Sequence, residues 1–180
     1  ICDGITVSLY DDQLFKNTPA DNRAETYLKH YDNWDMDKLD ALIISPGIPH
    51  NHPKPHPAAK ACAKAGIPIL SEVEFALRRG REGRWVSITG TNGKSTTTAL
   101  VGHILEQAGI DCAIGGNIGA AITTLQNVGA DGVNIIELSS YQLEITPSLR
   151  SDIAVIMNIT PDHLDRHGGM QGYITAKEQV

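Results

Sequence analysis

Cysteine, aromatic side chains and long apolar runs are all scarce here. The 180 residues hold three cysteines, Cys2, Cys62 and Cys112, far apart and without a CxxC pair, which excludes a disulfide framework and a zinc knuckle and fits a reducing cytoplasm. No apolar run approaches the roughly 18 residues a membrane span needs, and no charged and apolar leader opens the sequence. Positive charge is short as well. With 15 Lys and Arg against 21 Asp and Glu the net charge is -6, so neither a nucleic acid nor an anionic membrane is an expected partner, and any anion must be held locally. Hydrophobic residues make up 41% and charged residues 20%, ordinary for a soluble globular chain. The chain opens at Ile1 rather than Met and stops at Val180 inside the helix-like "YITAKEQV"; a fragment of a longer protein is expected.

What is present is an α/β rhythm. Strand signals at "ITVSLYD" (5–11), "DALIIS" (40–45) and "IPIL" (67–70) alternate with an alanine-rich helix in "PAAKACAKAG" (57–66), and such alternation implies a parallel sheet with helices packed on it. Gly66 suits the position just past that helix, where a left-handed residue ends it without Cβ strain. "SEVEFALRRGREGRW" (71–85) reads as an amphipathic helix and then a Gly/Arg-rich connection. From Val86 the rhythm restarts with "VSITG", a helix expected to bury Leu100, Val101, Ile104, Leu105 and Ala108, and strands at "CAIGG", "VNIIELS" and "IAVIMNI". Their apolar runs predict strands covered on both faces.

Between the first of these strands and its helix lies Gly90-Thr91-Asn92-Gly93-Lys94-Ser95-Thr96. Two glycines let the backbone curl around phosphate oxygens, the helix N-terminus and Lys94 supply positive character, and the Ser95 hydroxyl reaches a magnesium ion. Ile88 stands where the full P-loop formula has its first glycine, so this is a shortened variant. The plain alternative is a glycine turn that merely starts a helix; strand, turn, Gly-Lys-Ser and helix in order favour a nucleoside triphosphate.

In open α/β sheets ligands bind beyond the carboxyl ends of the strands. That rule brings Glu137, at the end of "VNIIE", and His163, in "NITPDHLDRH" between Asp162 and Asp165, to the same rim as the phosphate loop. Glu137 with Ser95 offers the hard oxygens magnesium prefers, and His163 is a candidate metal or phosphate ligand. Asn117 in "GGNIG" is a candidate polar contact there. His50, His52 and His56 in "PHNHPKPHP" resemble a metal cluster on paper, but the prolines favour a solvated loop.

Taken in order and spacing, "GTNGKST", "GGNIG", "ELSSYQLE" and "NITPDHLDRH" resemble the Mur ligases of peptidoglycan synthesis, and "ELSSYQLE" is most similar to the branch that adds D-glutamate to UDP-N-acetylmuramoyl-L-alanine. "SPGIP" and "GIPILSEVEF" carry the likeness into the first half. The resemblance implies a Rossmann-like N-terminal domain for the UDP end, a P-loop-type parallel-sheet ATPase domain and a C-terminal domain. This chain would hold part of the first (1–72), a linker (73–85), the first part of the second (86–180), and none of the third. It also implies ATP on residues 90–96, with Lys94 on its phosphates, and two magnesium ions. Ser95 and Glu137 would hold one ion; His163 and Lys177, the latter carbamylated by carbon dioxide, the other. Gly47, Asn117, Ser139 and Gln142 match positions near the UDP-muramoyl substrate. Some relatives place Thr-Arg against the uracil where this chain has Asp12 and Gln13. A cytoplasmic monomer is expected. Rival readings are another amide ligase of this scaffold, such as a folylpolyglutamate synthase, a generic P-loop kinase or NTPase, and a nucleotide-binding module without chemistry.

Overall fold

The computed structural model describes residues 5–11, 27 and 29–180; Cys2, Asp12 and Gln13 lie outside them. Two parallel sheets organise these residues. The smaller pairs β1 (Leu42–Ile43) with β2 (Ile69–Leu70), in register Leu42 to Ile69, across α1 (Pro57–Lys64). His56 caps α1 through Nδ1, which accepts from the Ala58 amide at 3.2 Å, Pro57 fills the first turn where no amide is needed, and Gly66 leaves the helix at φ +73°. The first expected strand did not form among the described residues: at 5–11 only Leu9 is bridged, to Tyr27 and Lys29.

The larger sheet has the order β4-β5-β3-β6, all parallel, with β3 Arg84–Thr89, β4 Cys112–Gly116, β5 Val133–Glu137 and β6 Ile153–Ile156. Helix α3 (Lys94–Gln107) crosses from β3 to β4. It presents Thr98 and Gly102 to the sheet, and a Cβ on Gly102 would collide with the Ile114 side chain, so glycine there sets how closely helix and sheet approach. Val101 and Leu105 pack partly against Val86, Ile88 and Ile135. Leu100 and Ile104, expected in this face, are instead 56% and 54% exposed, because the small residues at 98 and 102 turn a narrower stripe inward. β6 also departs from the expectation of strands covered on both faces. It is an edge strand with Ile153 56% and Ile156 42% exposed.

The amphipathic helix expected at the start of 71–85 forms. Helix α2 (Glu72–Arg78) starts on the Ser71 hydroxyl, which accepts from the Glu74 amide at 2.9 Å. Val73 and Ala76 enter one core with Trp85, Ile122, Ile136, Leu138, Leu143 and Leu149. Glu74 is fully buried; burial pushes its pKa up, but bonds from the Ser148 amide and hydroxyl and from Arg78 outweigh this and hold it low. Short helices α4 (Ser140–Glu144), α5 (Leu164–His167) and α6 (Met170–Lys177) follow β5 and β6.

Candidate active site

Because all four strands of the larger sheet run the same way, their carboxyl ends bring four connections to one rim. β3 delivers the phosphate loop. Gly90 and Gly93 adopt φ +150° and +85°, and a Cβ on Gly90 would stand 2.9 Å from the Met157 Cβ; only glycine lets the loop pass so near β6. The exit of β6 pins that loop. The Asn158 carbonyl accepts from the Thr91 amide at 3.0 Å, its Oδ1 accepts from the Asn92 amide at 2.9 Å, and its Nδ2 donates to the Asn92 carbonyl at 3.0 Å. The Thr160 amide donates to Thr91 Oγ1 at 3.0 Å. Lys94 Nζ lies across the loop, donating to the carbonyls of Gly90 and Thr91, both at 2.9 Å. Ser95 and Thr96 stand exposed on the first turn of α3.

β5 ends on Glu137, buried to 1%. One carboxylate oxygen accepts from Asn117 Nδ2 at 3.0 Å; the other is buried without a partner. An unsatisfied buried carboxylate oxygen is costly, and a hard cation is the group whose arrival relieves it. The turn "GGNIG" makes the pairing possible. Gly116 runs at φ +99°, and any Cβ there would strike the Glu137 carbonyl, which accepts from the Asn117 amide at 2.8 Å.

Lys177 is 1% exposed, although it is the last residue of α6. Its Nζ reaches down to donate to the Gly90 carbonyl at 2.9 Å and to Thr89 Oγ1 at 3.3 Å, and lies 4.7 Å from the Tyr173 ring centroid. Burial, helped by Lys94, lowers its pKa to about 8, against a smaller opposing effect of Asp162. At neutral pH roughly a tenth of this amine is uncharged, several hundred-fold more than for an ordinary lysine. His163 turns at φ +50° to open α5, half-exposed, with Asp162 3.4 Å from its Nε2.

Several of these groups meet around a cavity of about 290 Å³, lined by Pro46, Gly47, Gly90, Lys94, Asn117, Ser139, Ser140, Tyr141, Asp162, His163, Tyr173 and Lys177. Its lining therefore carries two ammonium groups against one carboxylate, a surplus suited to an anion. Of the sequence candidates, Gly47, Gly90, Lys94, Asn117, Ser139, His163 and Lys177 line it. Thr91, Asn92, Gly93, Ser95, Thr96 and Glu137 do not, nor does Gln142. It is buried under α4, where its Oε1 completes a capping box with Ser139 and its Nε2 donates to Glu72 Oε1 at 2.6 Å.

A family model described as the Mur ligase middle domain matches residues 88–180. The chain belongs to the Mur ligase family. It is 50% identical over 145 residues to the UDP-N-acetylmuramoylalanine--D-glutamate ligase of Paramagnetospirillum magneticum, covering 81% of this chain and 32% of that protein. A protein of the same name from Phenylobacterium zucineum is 42% identical and covers all of this chain and 39% of itself. The chain thus spans about a third of the length of these relatives. Two solved structures share the fold. The UDP-N-acetylmuramate:L-alanyl-gamma-D-glutamyl-meso-diaminopimelate ligase of Neisseria meningitides aligns with TM-score 0.54 at 16% identity, over 97% of this chain and 57% of that one. The UDP-N-acetylmuramate-alanine ligase of Thermotoga maritima aligns with TM-score 0.52 at 24% identity, over 84% and 34%.

Several residues escaped the sequence reading. Asn158 is the first polar residue past β6, where the strand-end rule could have found it. Tyr141 and Tyr173 line the cavity, which no periodicity signals. Arg166 joins the two halves. Its guanidinium donates to the carbonyls of Gly47 at 3.2 Å and Pro46 at 3.4 Å and lies 4.3 Å from the Tyr141 ring centroid. His50, expected in a solvated loop, is half-buried with its Nε2 3.3 Å from Glu144 Oε2.

Proposed function

We propose that this chain is the nucleotide-binding part of an ATP-dependent ligase that joins D-glutamate to UDP-N-acetylmuramoyl-L-alanine through an acyl phosphate. The carrying observation is a cavity that gathers the phosphate-loop Lys94 and Gly90 with Asn117, Ser139, His163, Lys177 and, from the first half, Gly47. The names of the relatives support the substrates. Residues 90–96 hold the ATP phosphates, with Lys94 released from the loop carbonyls to follow charge onto the γ-phosphoryl oxygens. Gly47, Asn117 and Ser139 hold the muramoyl substrate so that its carboxylate meets that phosphoryl group. Gln142 acts behind them by fixing Ser139.

Ser95 and Glu137 would hold one magnesium ion, and the partnerless Glu137 oxygen fits that role. His163 and a carbamylated Lys177 hold the second. Bound magnesium supplies the positive charge that lets a carboxylate approach a triphosphate. Only a neutral amine takes up carbon dioxide, and the lowered pKa of Lys177 provides it. No helix among the described residues is long and apolar enough to cross a membrane, and the enzyme is proposed to act as a cytoplasmic monomer.

The test is phosphate release from ATP by the complete gene product. Turnover is expected only with both UDP-N-acetylmuramoyl-L-alanine and D-glutamate present, and Lys94→Ala is expected to abolish it with an unchanged circular dichroism spectrum. Turnover indifferent to D-glutamate, or a Lys94→Ala variant within about tenfold of the parent, would remove the reading.

A further inference from the structure

A row of polar groups outside the proposed ATP and metal contacts runs from β5 toward the first half of the chain: Ser140, His167, Glu144 and His50. His167 Nε2 lies 2.8 Å from Ser140 Oγ, and its Nδ1 lies 2.7 Å from Glu144 Oε1. His50 Nε2 stands 3.3 Å from the other Glu144 oxygen. An ionised carboxylate only accepts, so in the neutral form of His167 the Nδ1 carries the proton and Nε2 the lone pair, and Ser140 is then the donor to histidine. This is the polarity by which a histidine removes a proton from a serine hydroxyl.

The setting matches the chemistry. Ser140 is the first residue of α4, three residues past the end of β5, at the carboxyl-end rim where α/β sheets meet their ligands. Ser140, 3% exposed, lines the cavity that Lys94 also lines, and a positive charge on that lining favours an oxyanion. The imidazole is held in place by Tyr141, stacked at 5.3 Å and 14°, and by Tyr173 at 5.4 Å.

We infer that Ser140, activated by His167 and Glu144, is a nucleophile that takes acyl groups from activated carboxylic esters and passes them to water. Ser140 Oγ bonds to the ester carbonyl carbon while its proton moves to His167 Nε2; that proton then leaves with the alcohol or phenol as its C–O bond breaks. Water attacks the acyl-serine, gives one proton to His167, and releases the carboxylic acid as that proton returns to Ser140. No oxidant, metal or nucleotide enters the balance, so the inference stands or falls apart from the ligase reading.

The probe is p-nitrophenyl acetate added to the intact protein without ATP. Release of p-nitrophenolate is expected, with one acetyl group mapped to Ser140 by mass spectrometry of peptides. Ser140→Ala is expected to bring release down to the buffer rate. Glu144→Gln, whose amide forces the opposite histidine tautomer, is expected to slow it by up to about 10⁴-fold. The mapping uses the unsubstituted protein, so a variant that misfolds does not affect the decision. Acetyl found on Lys94 or Lys177 but not on Ser140, or no acetylation at all, overturns the inference.

Discussion

Burying an ammonium at Lys177 should weaken the fold, and the weakening should vanish in alkali. Lowering the pKa from 10.5 to about 8 corresponds to ~3 kcal/mol of destabilisation by the charged form. The sign follows from proton binding. Between the folded and unfolded pKa values the unfolded chain binds the proton more tightly, so stability rises with pH from about 8 to 10.5 and the penalty is complete below 8. Lys177→Met keeps an unbranched chain against Tyr173 and removes the charge, at the cost of two hydrogen bonds, to Gly90 and Thr89, of about 1 kcal/mol each. The Gly90 carbonyl keeps Lys94 as a donor. The variant should therefore be ~1–2 kcal/mol more stable than the parent at pH 7 in carbon-dioxide-free buffer, and that advantage should shrink by ~2 kcal/mol at pH 10. Urea unfolding at the two pH values measures both. A variant less stable than the parent at pH 7, or an advantage independent of pH, would refute the argument that burial governs this amine.

Two other substitutions test the rim. Glu137→Gln keeps the shape and the bond from Asn117 but removes the charge a hard cation prefers; the magnesium concentration for half-maximal ATP turnover should rise while the KM for the UDP-linked substrate stays constant, and a change in that KM alone would make Glu137 a substrate ligand. Gly116→Ala places a methyl against the Glu137 carbonyl at φ +99° and should cost more than about 2 kcal/mol in urea unfolding. Gly109→Ala, at φ +73° with open space around it, carries the backbone strain alone and should cost about 1 kcal/mol; equal losses at the two sites would deny the close approach.

The rim was legible because it rests on local chemistry and one topological rule. Glycines before Lys94, a carboxylate ending an apolar strand and a histidine after the next strand are visible in the sequence, and parallel strands carry them to one side. The errors came where tertiary neighbours decide. Leu100 and Ile104 fit a helical stripe, but Gly102 against Ile114 shifts the buried face. β6 has the composition of a central strand and lies at an edge of the described sheet. His50 was read from its prolines, whereas its partner Glu144 is 94 positions away in the sequence. Gln142 shows a different limit, since a residue that builds a capping box and one that touches a ligand present the same letter.

The seam between the two halves explains why the cavity draws on both. Apolar contact crosses it at α2, which enters the core of the larger sheet, and at Ile145, which packs with Ile44 and Ala59; around these the bonds are polar: the Ser71 hydroxyl with Thr146 at 2.7 Å, the Ser71 amide with the Ile145 carbonyl at 3.0 Å, Gln142 with Glu72, His50 with Glu144, and Arg166 with Gly47 and Pro46. Directional bonds fix register where apolar packing would tolerate sliding. Three of these partners, Gln142, Glu144 and Arg166, sit on the two short helices that follow Glu137 and His163. The elements that shape the rim of the cavity are thus the elements that grip the first half, and Arg166 links the Gly47 loop to Tyr141. The proposed reaction, with the UDP-linked substrate on one half and the phosphate loop on the other, would require such rigidity, because a reacting carboxylate and phosphoryl group must meet within a few tenths of an ångström.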